Sequence, residues 1–236
     1  IADAHGNVVH LGERECSIQR RNQKVLEESP SPGIAAATRH ALVDGAVALA
    51  RHVGYQGAGT VEFLVGDDGT PTFLEVNTRL QVEHPVTEAV TGLDLVELQL
   101  RIAGGEPLPF SQDDIHLRGH AIEVRLVAED PAAGWIPTGG TVRRFAVGDG
   151  VRIDAGVRDG STVSADYDSL LAKVIAHGSS RAEAIARLHR ALRRTQVAGV
   201  PGNLDAMVAV LEEPDFVAGL TTTAYLDDHP QVAAAT

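Results

Sequence analysis

The sequence predicts an α+β fold, a largely antiparallel sheet with flanking helices. Three patterns carry this expectation. Residues 60–66 and 71–77 read as strands on either side of Asp68 and Gly69, and Asp-Gly is a strong two-residue hairpin signal. Residues 33–53 place Ile34, Ala37, Ala41, Leu42, Ala48 and Leu49 at helical spacing. Beyond residue 119, strand-like runs at 120–127, 141–147, 151–153 and 170–176 are separated by turn signals at 138–140, 148–150 and 158–160.

The elements follow in order. Residues 1–4 and 8–11 read as strand, turn, strand around His5, Gly6 and Asn7. Residues 19–24 form a basic island whose plain reading is a solvated turn. After the helix and the hairpin, residues 78–83 read as extended, with Arg79, Gln81 and Glu83 on one side, and Pro85 ends the segment. A short helix is expected from Thr87. A second is capped by Asp94, with Glu97 three residues on, and stops at Gly104 and Gly105. Residues 1–103 and 119–236 then form two domains joined by a linker at 104–118. Two helices close the chain. One starts at Ser180 with Glu183 three residues on, buries Ala184, Ile185, Leu188, Ala191 and Leu192, and carries Arg181, Arg187, Arg190, Arg193 and Arg194 on its other side. That basic side reads as solvated, or else as a docking surface for an acidic partner or a second subunit. The other helix starts at Asn203 and buries Leu204, Met207, Val208 and Leu211.

The hairpin carries the chemistry. With Asp68 and Gly69 as the loop, residue 66 pairs with 71, and Glu62 falls opposite Glu75 on one face. At ~5 Å and an effective dielectric of ~20, two such carboxylates repel by about 3 kcal/mol. A bridging divalent cation would remove that cost, and Asn77 offers an amide oxygen on the same face. Two carboxylates and an amide oxygen suit Mg²⁺ or Mn²⁺. The plain alternative is a pair of solvated surface glutamates. Arg79 supplies a planar fork for an anion, Gln81 can donate or accept, and Glu83 beside them could serve as a general base. Lys24 is one of only two lysines, against eighteen arginines, which suits a point-charge task.

Composition excludes several classes. A net charge of −12 argues against nucleic acid. No apolar run approaches the ~20 residues of a membrane span, and no leader signal is present, so a cytoplasmic protein is expected. The single cysteine, Cys16, excludes an internal disulfide and reads as a small packed apolar residue. Trp135 and His84 read as packing residues, with His84 orienting its loop by a hydrogen bond. Arg125 shares a strand face with Glu123 and Val127, so a purely structural pairing there stays open.

The runs Glu13-Arg-Glu-Cys-Ser17, Gln19-Arg-Arg-Asn-Gln-Lys24, Gly57-Ala-Gly-Thr-Val-Glu62, 75–88 and Arg118-Gly-His-Ala-Ile-Glu-Val-Arg125 resemble biotin carboxylase, the ATP-grasp component of acyl-CoA and pyruvate carboxylases. The similarity runs from Asp3 to about Tyr225. It implies the second half of an ATP-grasp domain followed by a biotin carboxylase C-terminal domain. It implies ATP, Mg²⁺ or Mn²⁺, and bicarbonate, with biotin on a carrier protein as acceptor. By the resemblance, Glu62, Glu75 and Asn77 match the metal ligands, and both glutamates also belong to the ATP site with Gln19, Asn22 and Lys24. Lys24, Arg79, Gln81 and the Val82 amide match the bicarbonate site. Glu83 matches the base, and Arg125 the residue that stabilises the biotin enolate. Asn22 departs from the histidine that many members carry, and a tuned ATP contact is expected. The partners implied are a biotin carboxyl carrier, a carboxyltransferase subunit and a second copy of the chain. No glycine-rich phosphate loop occurs, so the resemblance implies a C-terminal piece without the N-terminal domain and ATP lid, inactive alone. Two alternatives are another ATP-grasp ligase of the carbamoyl-phosphate synthetase type and, for the fragment, a non-catalytic docking or dimerisation module.

Overall fold

A computed structural model describes residues 1–235. The chain divides into two compact units, Ile1–Arg14 with Ser29–Arg118, and Glu15–Glu28 with Gly119 onward. The expected boundary near 104–118 therefore needs two corrections. Residues 104–118 belong to the first unit, and Glu15–Glu28 belongs to the second. The cause is a strand, Leu26–Ser29, that completes the second unit's sheet and carries Val25 and Leu26 into its core.

In the first unit, the expected opening strands reduce to single bridges from Ala2 to Val8 and Gly57. Asp3 organises this turn. Its carboxylate accepts from the backbone N–H of His5, Asn7 and Leu108 and from the Asn7 side chain, all between 2.7 and 3.0 Å. The first helix runs Ala36–His52. Of its expected apolar stripe only Leu42 is buried, together with Thr38 and Val43, while Ala37, Ala41 and Ala48 are exposed. Thr60–Val65 and Pro71–Asn77 form the antiparallel hairpin. A helix spans His84–Thr91, three residues earlier than expected, because Pro85 starts it instead of stopping the preceding segment. The next helix is Leu95–Ala103, with Asp94 accepting from the Glu97 N–H at 2.8 Å and Gly104 at its C-cap. Val9, Ile102 and Leu108 form a small core with Ile1, Leu11 and Phe110 around them.

The second unit is built on a four-stranded sheet in the order Arg152–Ala155, Leu170–Gly178, His120–Val127, Leu26–Ser29. Every residue of the His120–Val127 strand is buried except the half-buried Arg125, as in a central strand covered on both faces. The expected strand 141–147 is split. Gly140–Thr141 pairs with Thr162–Val163, then Arg144–Ala146 pairs with Gln196–Ala198, so the chain changes partner within three residues. Helix Arg181–Arg193 lays Ala184, Leu188, Ala191 and Leu192 into the core. Ser180 caps it, while Glu183 reaches Ser179 N and Oγ at 2.7 and 2.6 Å, one residue outside the expected reciprocal box. Its basic side is not uniformly solvated, since Arg181 is bonded to Glu28. Helix Leu204–Glu212 buries Met207, Val208 and Leu211 as expected, with Ala206 and Val210 in addition, while Leu204 is only partly buried. Three short helices not foreseen follow: Pro214–Ala218, Tyr225–Asp228 and Pro230–Ala233. Cys16 is half-buried and Trp135 is buried. Among the described residues no helix is long and apolar enough to cross a membrane.

Burial pushes the Asp3 carboxyl upward, but the Leu108, Asn7 and His5 donors outweigh it and hold the pKa at about 2, against an ordinary 3.8. A depressed carboxyl stabilises the fold above its ordinary value and loses that contribution as pH falls through the folded one. Replacing Asp3 with Ala should therefore lower the thermal midpoint at neutral pH, with a loss of about 1–3 kcal/mol. The gap between variant and parent should close between about pH 4 and pH 2. Melting curves across that range check this, and a constant gap would count against the Asp3 turn as its source.

Candidate functional site

The hairpin brings Glu62 opposite Glu75 and Thr60 opposite Asn77, as the sequence predicts. The route to that register is different. Near the turn, Val65 pairs with Pro71, one residue short of the expected 66–71 pair, because the reversal uses Gly66 through Thr70. A bulge at Leu74 then restores the frame between Phe63–Phe73 and Glu62–Glu75. Asp68 organises the tip. The backbone N–H and hydroxyl of Thr70 donate to it at 2.9 and 2.8 Å and hold its carboxyl below the ordinary range.

The two acids converge on one amide. Asn77 Nδ2 donates to Glu75 Oε1 at 2.8 Å and to Glu62 Oε1 at 3.1 Å. Its oxygen faces Arg79, whose Nη2 donates to it at 3.3 Å. Half a turn about the last side-chain torsion would offer that oxygen to a cation instead. The donor set is hard, and its two carboxylates lie within the span of one ion, so the residues present fit Mg²⁺ or Mn²⁺. Among the described residues no group of three or more His, Cys, Asp or Glu side chains is arranged to hold a metal. A cation at this hairpin would thus take its remaining ligands from water or from a bound anion.

Residues 78–83 do not continue as a strand. They form a loop whose last two residues turn into helix His84–Thr91. This breaks the expected one-sided row. Arg79 is exposed, whereas Gln81 and Glu83 are buried. Gln81 Nε2 donates to Glu62 Oε1 at 2.6 Å, so the loop is tied to the carboxylate pair. His84 Nδ1 meets the Gln81 carbonyl at 2.7 Å, the loop-orienting contact expected of it. Glu62, Glu75, Asn77, Arg79 and Gln81 are therefore joined in one polar chain, with Glu83 two residues beyond Gln81.

The remaining candidates lie in the second unit. Gln19–Arg20 and Gln23–Lys24 form a tight hairpin with Gln19 directly opposite Lys24, so both side chains share a face. Arg21 and Asn22 occupy the turn at φ 48° and 63°. Asn is among the residues that best tolerate this left-handed backbone, which gives Asn22 a conformational reason of its own. Arg20 is ion-paired with Glu129, and Arg21 donates to the Gly134 carbonyl at 3.1 Å. Arg125 pairs with Glu27. Its Nε and Nη2 donate to Glu27 Oε1 at 2.6 and 2.5 Å.

Two participants escaped the sequence reading. Glu27 could have been noticed, because it and Glu28 are adjacent acids that directly follow the apolar pair Val25 and Leu26. Arg14 bonds Gln81, Thr60 and Thr87, and only its place between Glu13 and Glu15 sets it apart in the sequence.

Residues 1–111 match the family model for the carbamoyl-phosphate synthase L chain ATP-binding domain, and residues 123–228 match the biotin carboxylase C-terminal domain. A biotin carboxylase from Halalkalibacterium halodurans is 49% identical over 98% of this chain and 51% of its own length. A chloroplastic biotin carboxylase from Arabidopsis thaliana is 48% identical over 99% of the chain and 44% of its own length. Among solved structures, the biotin carboxylase domain dimer of Hydrogenobacter thermophilus 2-oxoglutarate carboxylase, in complex with MgADP, ADP and bicarbonate, superposes with a TM-score of 0.96. It is 43% identical, over 99% of this chain and 52% of its own. The chain thus spans about half the length of the relatives it matches.

In the intact protein, Glu62→Gln and Glu75→Gln should each weaken Mn²⁺ binding by about tenfold or more, as expected for loss of one of two carboxylate ligands. Free Mn²⁺ measured by electron paramagnetic resonance reads this directly. Unchanged affinity in either variant would remove the shared site.

Proposed function

Because the chain belongs to the biotin carboxylase family, we propose that the enzyme carrying it uses MgATP and bicarbonate to carboxylate biotin on a carrier protein. The observation that carries this reading is the continuous polar chain from Glu62 and Glu75 through Asn77 to Arg79 and Gln81. This chain of hydrogen bonds supports a hard-cation site beside an anion site.

In this proposal Glu62, Glu75 and Asn77 hold Mg²⁺ or Mn²⁺, and the two glutamates belong to the nucleotide site as well. Once bound, the ion would offset the negative charge on the phosphate oxygens. Arg79, Gln81 and the Val82 N–H receive bicarbonate. Buried Glu83 takes its proton, and the oxygen so freed attacks the γ-phosphorus, releasing ADP and forming carboxyphosphate. Carboxyphosphate divides into CO₂ and phosphate, and phosphate removes the N1 proton of biotin. Arg125 faces the charge that then builds on the ureido oxygen while N1 bonds to CO₂, and Glu27 anchors its guanidinium. Gln19, Asn22 and Lys24 belong to the substrate contacts of the second unit, with Lys24 as a cation for ATP and bicarbonate oxygens.

The partners that follow are a biotin carboxyl carrier, a carboxyltransferase subunit, N-terminal and lid domains of the same enzyme, and a second copy. An acidic chain with one cysteine suits the cytoplasm.

The test is made on the full-length enzyme. Arg125→Ala should leave bicarbonate-dependent ATP cleavage measurable while carboxybiotin formation falls by about 10²-fold, the usual effect of removing one charge-stabilising donor. Equal loss of both activities would overturn the role given to Arg125. ATP cleavage that does not respond to bicarbonate in the parent enzyme would overturn the reaction itself.

A further inference from the structure

We infer that Arg14 is a positioning residue of the anion pocket, one that locks the Gln81 amide so that it meets bicarbonate with N–H groups only. The inference rests on the anion-site reading above and assigns a residue outside it.

The geometry is over-determined. Arg14 Nη2 donates to Gln81 Oε1 at 2.5 Å, and Gln81 Nε2 donates to Glu62 Oε1 at 2.6 Å. A guanidinium can only donate, and an ionised carboxylate can only accept. Both neighbours therefore demand the same orientation of an amide whose terminal torsion is otherwise broad and two-fold. Arg14 is itself fixed from two sides, with Nη2 donating to Thr60 Oγ1 and Nη1 to Thr87 Oγ1, both at 3.0 Å. Thr60 begins the strand that carries Glu62, and Thr87 lies in the helix that follows Glu83. One side chain thus ties Gln81 both to the neighbouring hairpin strand and to the helix that follows Glu83. Gln81 and Thr87 are buried, where charge-assisted hydrogen bonds gain strength.

The chemical consequence is selection by polarity. The Gln81 nitrogen carries a second N–H beyond the one given to Glu62, and that hydrogen can meet only an acceptor. A flipped amide would set its oxygen against the Glu62 carboxylate and against any anionic substrate oxygen. Arg14 excludes that state without needing to touch the substrate.

The experiment is a double-mutant cycle on the full-length enzyme with Arg14→Met, Gln81→Ala and the pair, following bicarbonate-dependent ATP cleavage. Arg14→Met should raise the KM for bicarbonate about tenfold, the equivalent of one charged hydrogen bond, with little change in the KM for ATP. In the Gln81→Ala background it should add nothing. Titration of ¹³C-labelled bicarbonate by NMR, without nucleotide or metal, should show the same weakening. If Arg14→Met does not fold, Arg14→Lys keeps the charge without the planar fork and should still raise the bicarbonate KM. Additive effects, or equal rises in both KM values, would overturn the inference alone. A bicarbonate KM untouched by Gln81→Ala would overturn the pocket's assignment and this inference with it.

Discussion

Two carboxylates that reach for the same amide nitrogen repel one another, and the first unit holds Glu62 and Glu75 in that relation. Strand pairing supplies the force that keeps them there, because residues opposite one another across a hairpin have no freedom to separate. The surrounding donors answer the repulsion. Asn77 bridges the pair, Gln81 donates to the same Glu62 oxygen, and Arg14 brings a formal positive charge up behind Gln81. Two carboxylates and an amide oxygen are a donor set that suits a hard cation.

The second unit manages buried charge by another route. Glu27 and Glu28 are adjacent on one strand, so their side chains leave in opposite directions. Each meets its own cation. Glu27 takes Arg125, while Glu28 takes Arg181 through two bonds of 2.7 and 3.0 Å and meets His120 Nε2 at 2.6 Å. Arg181 in turn donates to the Phe216 and Val217 carbonyls at the end of a short helix. Burying paired charges adds little net stability, but separating a partner is costly, so such pairs fix where a strand and a helix must sit. The same strand that completes the sheet therefore orients Arg125 from one side and seats helix Arg181–Arg193 from the other.

What the sequence disclosed was local. The Asp94 and Ser180 caps, Gly104 and the strand-like run 120–127 each act over a few residues, and each appears in the structure, whereas the reversal at Asp68 and Gly69 is longer than the two-residue loop expected. The Glu62–Glu75 pairing was legible as well, although the two-residue loop that suggested it is not the one used and the bulge at Leu74 restores the register. What escaped depends on partners remote in the chain. Leu26–Ser29 joins strands about a hundred residues away, and nothing in its own pattern names them. Residues 78–83 alternate as a strand would, but no second strand pairs with them, and Pro85 draws them into a helix start. Arg14 matters through Gln81, so its importance was invisible until that distance existed, while Glu27 stood out only as half of an adjacent acid pair.

The extra residue at Leu74 separates two jobs that a plain hairpin would fuse. In an unbroken ladder every change at the tip would slide one strand past the other and turn one acid to the far side. Here the slack introduced by the longer reversal is absorbed before it reaches Glu75. The tip is thereby free to vary in length and composition, provided the compensating kink moves with it, while the two acidic oxygens stay in step.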